Sequence, residues 1–299
     1  MRLFGSCCGK DISGTVLDPD SEDFHHHGHR VQITCIKYEK GIRNQVLEHL
    51  NDGNPVLIDL PKPLGCGIIA RSPSVANGVK GRNKNQAVAR MISSIEEIQD
   101  FAALSPKGFE VAQRNLFEEG RLVLCPVNLT ANRDSGVPVF EDAASWKKQD
   151  GTAGKQRSKP QANRRTSIAV DLFTRASMSN TPYALICPPG MFSNNPEFLS
   201  SKAKLFGSSG NATGHETPGS FREAVSQFQT VCTEDPYHLL CIEGTQMCPT
   251  QTEAYNTSMI RVAPDGGTKT IREGYQDKQN CKDFAPYEEL KKWGECFKD

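Results

Sequence analysis

Apolar residues in this chain gather into short, nearly continuous runs. These are Val31–Tyr38, Pro55–Leu60, Arg121–Val127, Thr166–Leu172, Tyr183–Cys187 and His238–Ile242. Strands that read this way, rather than alternating, are those covered on both faces. Helical signals lie between them. Val88, Met91, Ile95, Ile98 and Ala102 recur at three- and four-residue spacing and predict an amphipathic helix over 85–104. Ser105-Pro106 has the form of an N-cap and first helical position, opening a helix that ends near Gly120. Ser220 and Glu223 have the spacing of a capping box ahead of Phe221, Val225, Phe228 and Val231. Strands alternating with helices predict an α/β protein, a three-layer α/β/α sandwich with a mixed central sheet.

Outside these elements the pattern breaks down. Residues 1–30 read as a flexible acidic and His-rich tail, in which Asp18, Asp20, Glu22 and Asp23 precede His25, His26, His27 and His29. The imidazoles are potential metal ligands without a fixed ligand set. Residues 31–299 then form a single domain, with loops over 129–165 and 206–219. Trp146 to Arg165 carries seven basic residues against one acid and no apolar period. It reads as a solvated surface loop or, alternatively, a clamp for a phosphate-rich polymer.

Composition narrows the class. A 37% hydrophobic fraction over 299 residues is ample for a buried core. With 35 basic and 35 acidic residues the formal charge is zero, so no global field favours nucleic acid or an anionic membrane. No apolar run approaches the length of a membrane span, and no signal-peptide pattern opens the chain. Cys7 and Cys8 read as free thiols, acylation sites or metal ligands. The eleven cysteines include no C-x-x-C, and Cys35, Cys125, Cys187 and Cys241 sit within apolar runs. That usage fits a reducing compartment, hence a soluble cytoplasmic protein, better than a disulfide framework.

In open α/β sheets, ligands collect where strands end and loops converge. The residues at those ends are Asp59 with Gly65, Cys66 and Gly67; Asn128; Gly190, Met191 and Phe192; and Glu243 with Gly244. Glycines allow backbone N–H groups to approach a diphosphate, although ordinary turns account for either glycine stretch as well.

The order of these segments resembles the macrodomain fold, in its poly(ADP-ribose) glycohydrolase branch. Ile58-Asp59 leads to Gly65-Cys66-Gly67, and Gln86-Ala87-Val88 resembles the start of the branch's signature helix. Arg164-Arg165-Thr166-Ser167-Ile168-Ala169-Val170-Asp171 resembles its Arg-Arg strand, Gly190-Met191-Phe192 its second glycine loop, and His238–Ile242 with Glu243-Gly244 its closing segment. The resemblance covers roughly residues 54–262. It implies a macrodomain-like fold and, as partner, ADP-ribose or an ADP-ribosylated protein. It also implies a ligand set of Asp59, Gly65, Cys66, Gly67, Asn128, Gly190, Met191, Phe192, Glu243 and Gly244. No cofactor, metal, sequence-specific nucleic acid or membrane span is expected.

The branch's two signature glutamates are replaced here by Ala87 and Val88. Glycosidic cleavage needs a carboxyl group beside the reacting centre. Hydrolysis of ADP-ribose from protein would therefore draw its carboxylates from the loop after the third strand. Asp134 and Asp142 are the candidates there, alongside Glu141 and Asp150. The alternatives are a non-catalytic ADP-ribose reader and a cysteine-dependent enzyme. In the latter, Cys66 would be the nucleophile, with a base from His49, His215 or His238. A zinc site from Cys232, His238, Cys241 and Cys248 is a weaker reading, because His238 and Cys241 should face opposite sides of one strand.

Overall fold

The computed structural model describes residues 28–38, 41–60, 64–84, 86, 88–128, 139–140, 183–188, 190–192, 198, 204–244 and 256–277. Residues 1–27 of the N-terminal tail, Thr166–Leu172, the basic stretch from Trp146 to Arg165, and Asp134, Glu141, Asp142 and Asp150 lie outside them, while the tail's last residues, His29–Arg30, form a strand rather than a flexible end.

Five of the apolar runs are strands: β2 (Gln32–Lys37), β3 (Val56–Asp59), β6 (Leu122–Pro126), β8 (Tyr183–Cys187) and β11 (His238–Glu243). They join β4 (Cys66–Ala70), β5 (Ala89–Met91), β9 (Leu205–Ser209), β12 (Met259–Val262) and β13 (Thr268–Arg272) in one mixed sheet. Its order is β13-β12-β6-β8-β5-β9-β4-β3-β11-β2, with β7 (Val139–Phe140) paired on β8. A two-stranded ribbon pairs β1 (His29–Arg30) with β10 (Cys232–Thr233).

Register assigns each strand residue a face. Leu57, Ile68, Phe206, Ile186, Val123 and Ile260 fall on one side. Helices α2 (Pro73–Gly78), α3 (Pro106–Gln113) and α4 (Phe221–Gln229) supply its cover, through two apolar clusters. Ala224, Val225 and Phe228 of α4 enter the first of these. A fully buried side chain of the Val or Phe kind is worth roughly 1.5–3 kcal/mol, so this stripe anchors the helix. The other side divides in two. Its β3–β11 half is covered by Val46 and Leu50 of α1 (Arg43–Asn51) together with Phe192 and Phe198. Over β5, β8, β6 and β12, Ala89, Leu185, Cys187 and Met259 of a small cluster that also holds Leu124 form the floor of a cleft. Mixed α/β architecture built around a mixed sheet is thus the fold.

Two helix signals hold. The Ser105 hydroxyl accepts from Gly108 N at 3.2 Å to cap α3, which runs on as a π-turn over Arg114–Glu118 and stops at Gly120, φ +64°. Ser220 caps α4 by accepting from Glu223 N, while Glu223 reaches back to Gly219 N at 2.9 Å. The helix expected over 85–104 is instead β5 followed by a 3-10 turn, Ile95–Ile98, opened by the Ser94–Glu97 capping box. Its apolar residues divide among different clusters rather than forming one stripe. Arg90 explains part of this: it is 7% exposed, 3.5 Å from Glu97 and over the Phe101 ring at 5.5 Å. Strand pairing on both sides of β5 outweighed helical spacing.

The macrodomain-like description is corrected here. Its first glycine loop is no loop, because Cys66 and Gly67 sit in β4, paired across to Asp59 and Ile58 of β3. Their backbone is committed to a ladder and offers no cradle of free amides. The signature-helix position is occupied by β5 and its approach. Among the described residues no helix is long and apolar enough to cross a membrane.

Candidate functional site

The cleft on the open half of the sheet has a volume of about 240 Å³. Its floor is built from strand residues: Ala89, Met91, Leu122, Leu185, Cys187 and Met259, with Gly67 and Gly207 between them. Gly207 is where a side chain cannot be added freely, since a Cβ there would lie 2.8 Å from Met91 Cε. Its absence leaves backbone exposed to whatever enters. Arg82, Ser208 and Ser209 form one polar end of the cleft. Thr217, Asn256, Thr257 and Arg272 form another. Asn256 Nδ2 donates to Thr217 Oγ1 at 3.4 Å, and Arg272 donates through Nη2 to Thr257 O at 3.0 Å, so the second end is tied together.

The first end is built from two segments far apart in sequence. Helix α2 opens with Ser72, whose hydroxyl accepts from Val75 N, and with Pro73 at its first position. It closes in a Schellman arrangement, in which Gly81 N donates to Gly78 O at 2.9 Å and Arg82 N to Asn77 O at 3.0 Å. Gly81 takes φ +66°, which only glycine adopts without strain. Asn77, fully buried, fastens the turn beyond the helix: its Nδ2 donates to Gln86 O at 2.7 Å and to Lys84 O at 3.3 Å. This turn presents Lys80 and Arg82 to the end of β9. There Gly210 packs its backbone against Cys66, leaving no room for a Cβ, which would sit 2.5 Å from Cys66 Cβ.

Lys80 is 0% exposed. Its ammonium donates to Ser208 Oγ and Ser209 Oγ, each at 3.1 Å, to Asn211 Oδ1 at 3.5 Å and to the Ser209 carbonyl. Arg82 Nη1 reaches the same Ser208 hydroxyl at 3.4 Å. Burial first, and the Arg82 charge second, push the Lys80 pKa well below the usual lysine range. All four Lys80 acceptors are uncharged, and no Asp or Glu is among the described residues that line the cleft. Two cations therefore converge on a hydroxyl-rich wall with no carboxylate among the described residues that line it.

The expected ligand residues scatter. Gly65, Cys66, Gly67, Gly190 and Phe192 line the cleft. Phe192 is also core, 2% exposed with its ring 4.8 Å from that of Phe198. Asp59 does not line the cleft and accepts from the Cys66 thiol at 3.8 Å. Met191 lies in the short turn Gly190–Phe192. Asn128 is exposed, its N bonded to Phe101 O, and Glu243 and Gly244 end β11 away from the cleft. Asp134 and Asp142 lie outside the described residues.

The cysteine-nucleophile reading is not supported by position. Cys66 donates to a carboxylate, while His49 is bonded to His238 O at 2.8 Å and Pro55 O at 3.2 Å. The His49 ring packs at 5.0 Å on that of His238. Among the described residues no group of three or more His, Cys, Asp and Glu could hold a metal ion. The zinc reading's Cys248 lies outside them. Lys80, Arg82, Ser208, Ser209 and Asn211 were missed from sequence. The available signal was a Lys-Gly-Arg triplet closing a Ser-Pro-capped helix, together with the hydroxyl- and amide-rich run Ser208-Ser209-Gly210-Asn211.

No family model matches the chain, and no curated protein matches its sequence. Solved structures do. Pyrococcus abyssi Sua5 complexed with L-threonine matches with TM-score 0.47 and 12% identity over 82% of this chain and 57% of its own length. Escherichia coli YciO gives 0.47 and 11% over 82% and 96%. Full-length HypF in a phosphate- and nucleotide-bound form gives 0.46 and 14% over 78% and 29%. The chain thus spans little more than half of Sua5 and under a third of HypF. These structures are of the Sua5, YciO and HypF kind. The strand placement of Cys66 and Gly67 overturns the macrodomain resemblance, and none of these structures is a macrodomain. The ADP-ribose partner and the ADP-ribosyl hydrolase activity drawn from that resemblance fall with it.

Proposed function

We propose that this chain binds a small phosphate-bearing metabolite, of nucleoside-phosphate size or less, in the cleft over β4, β9, β5 and β8. The carrying observation is Lys80, fully buried beside Arg82 with only neutral oxygens accepting from its ammonium. A buried charge without a counter-charge is costly, by several kcal/mol even after relaxation. An anion at the Arg82–Ser208–Ser209 wall would remove much of that cost. Phosphate suits the wall, because the wall offers the Arg82 guanidinium and the Ser208 hydroxyl, the Ser209 hydroxyl already donating to Asn211 Oδ1, while Lys80 adds positive field from behind.

The body of the ligand would lie on the apolar floor. Gly67 and Gly207 leave room there for a flat group to approach the backbone, and Met91 and Met259 are adaptable neighbours. A volume of about 240 Å³ is just under the usual span for drug-sized ligands, which favours a compact molecule. Arg272, with Thr257 and Asn256, would meet a polar group at the far end.

Calorimetric titration with adenosine monophosphate, adenosine and inorganic pyrophosphate tests the reading. The phosphate-bearing ligands should bind, and adenosine should bind at least tenfold more weakly than its monophosphate. Equal affinity for adenosine and its monophosphate, or no heat from either phosphate at millimolar concentration, would defeat it.

A further inference from the structure

A second chemistry lies at the far edge of the sheet, independent of the cleft. Strand β2 is the outermost strand, hydrogen-bonded in the sheet to β11 alone among the described residues. In that parallel pair Cys35 lies directly opposite Cys241. Their neighbours on the two strands are Thr34 opposite Leu240 and Ile36 opposite Ile242. Residues in register on adjacent strands have Cα atoms about 4.8 Å apart, inside the window of roughly 4.4–6.8 Å that a disulfide spans. Both side chains fall on the face covered by α4. Cys241 is fully buried in the cluster of Leu57, Ile68 and Phe228, whereas Cys35 is exposed.

We propose that Cys35 and Cys241 form a peroxide-oxidisable dithiol, with Cys35 as the attacking sulfur and Cys241 as the resolving one. The two thiols lie close enough to shift each other's titration. The neighbouring Cys241 thiol holds the Cys35 pKa down to about 7, against the opposing effects of burial and of Glu243. The neighbouring Cys35, then burial, raises Cys241, so the buried partner stays a thiol. An accessible thiolate next to a protonated thiol is the arrangement that redox-sensing pairs use. By contrast, Cys125 and Cys187 are buried, with their thiols driven upward by burial alone.

The chemistry balances with hydrogen peroxide as the oxidant. The Cys35 thiolate attacks one peroxide oxygen; an S–O bond forms, the O–O bond breaks, and the departing hydroxide is protonated to water. Cys35 is then a sulfenic acid. The Cys241 sulfur attacks it, an S–S bond forms, the S–O bond breaks, and a second water leaves with the Cys241 proton. Two thiols lose two electrons in all, and one peroxide becomes two waters. Because β2 has only one sheet neighbour among the described strands, it can yield the small shift that closure to disulfide distance requires.

The test uses the full chain treated with hydrogen peroxide near pH 7. Peptide mapping should recover a Cys35–Cys241 cross-link in the wild type. With Cys241→Ala the sulfenic acid has no resolving partner, so dimedone should label Cys35. Iodoacetamide should alkylate Cys35 about tenfold faster than Cys232, an exposed cysteine on β10 that serves as internal reference. Cys35→Ser lies on the surface and should fold normally while abolishing the cross-link. If Cys241→Ala fails to fold, the wild-type map and the alkylation ratio decide. A cross-link pairing other cysteines, or Cys35 reacting no faster than Cys232, would overturn the proposal.

Discussion

Replacing Lys80 with methionine exposes what the buried ammonium costs. The side chains have similar length, so packing is nearly retained. The variant loses donors to Ser208 Oγ, Ser209 Oγ and Asn211 Oδ1. Those partners retain bonds among themselves, such as Ser209 Oγ to Asn211 Oδ1 at 2.6 Å, which holds the loss to about 1–3 kcal/mol. Against it stands the removal of a buried charge, which is stabilising. The two nearly cancel near neutrality, so the informative quantity is how their difference changes with pH. In the unfolded chain Lys80 titrates near 10.4. In the folded chain burial and Arg82 hold its pKa well below that. Between the two values the unfolded state binds more protons, so wild-type stability rises with pH, by at most about 1.4 kcal/mol per pH unit for one proton. The gain ends above the unfolded value, and below the folded value the slope is absent. Lys80→Met removes this one titration and leaves the rest in place. Urea unfolding of both proteins at steps from about pH 7 to 10 should show wild type gaining on the variant as pH rises. A constant difference, or wild type losing ground, would mean that the ammonium has a stabilising counter-charge, and the case for an anion site would fail.

The packing sets three other outcomes. Phe192→Ala should cost roughly 3–5 kcal/mol in chemical unfolding, since the ring is buried against Phe198; a loss under about 1 kcal/mol would make it a site residue only. Gly78→Ala places a Cβ 2.0 Å from the Tyr237 hydroxyl and should destabilise by about 1–3 kcal/mol, with a smaller loss in a Tyr237→Ala background; additive losses would refute the clash. Gly207→Val should fold, because the atom it meets is the mobile end of Met91, yet lose binding of adenosine monophosphate at least tenfold; unchanged affinity would remove the floor from the site.

Legibility from sequence tracked how locally each feature is specified. Strands such as β3 and β8 are continuous apolar runs that any register would bury, and Ser105-Pro106 and Ser220 cap their helices through contacts three residues away. Strands β5 and β9 were not legible. Arg90 reads as polar and Gly207-Ser208-Ser209 as turn-forming, and both became strands because neighbours on either side supply their hydrogen bonds. Residues Gly65-Cys66-Gly67 were misread for the converse reason: glycines in a strand resemble a loop until pairing is known. The cleft was missed because Lys80 and Ser208 meet across 128 positions, and nothing in either segment names the other. The macrodomain resemblance failed at the same level. It matched the order of segments, while the sheet's connections determine which residues share a face.

The central claim is that the Arg82–Ser208–Ser209 wall grips an anion. It is tested most directly by the affinity of inorganic pyrophosphate for wild type and for Arg82→Ala, measured side by side in the same low-salt buffer. A lost charge-assisted contact of about 1.5–3 kcal/mol predicts that the variant binds roughly ten- to a hundredfold more weakly, with its fold intact by unfolding midpoint. Equal affinities in the two proteins would contradict the account.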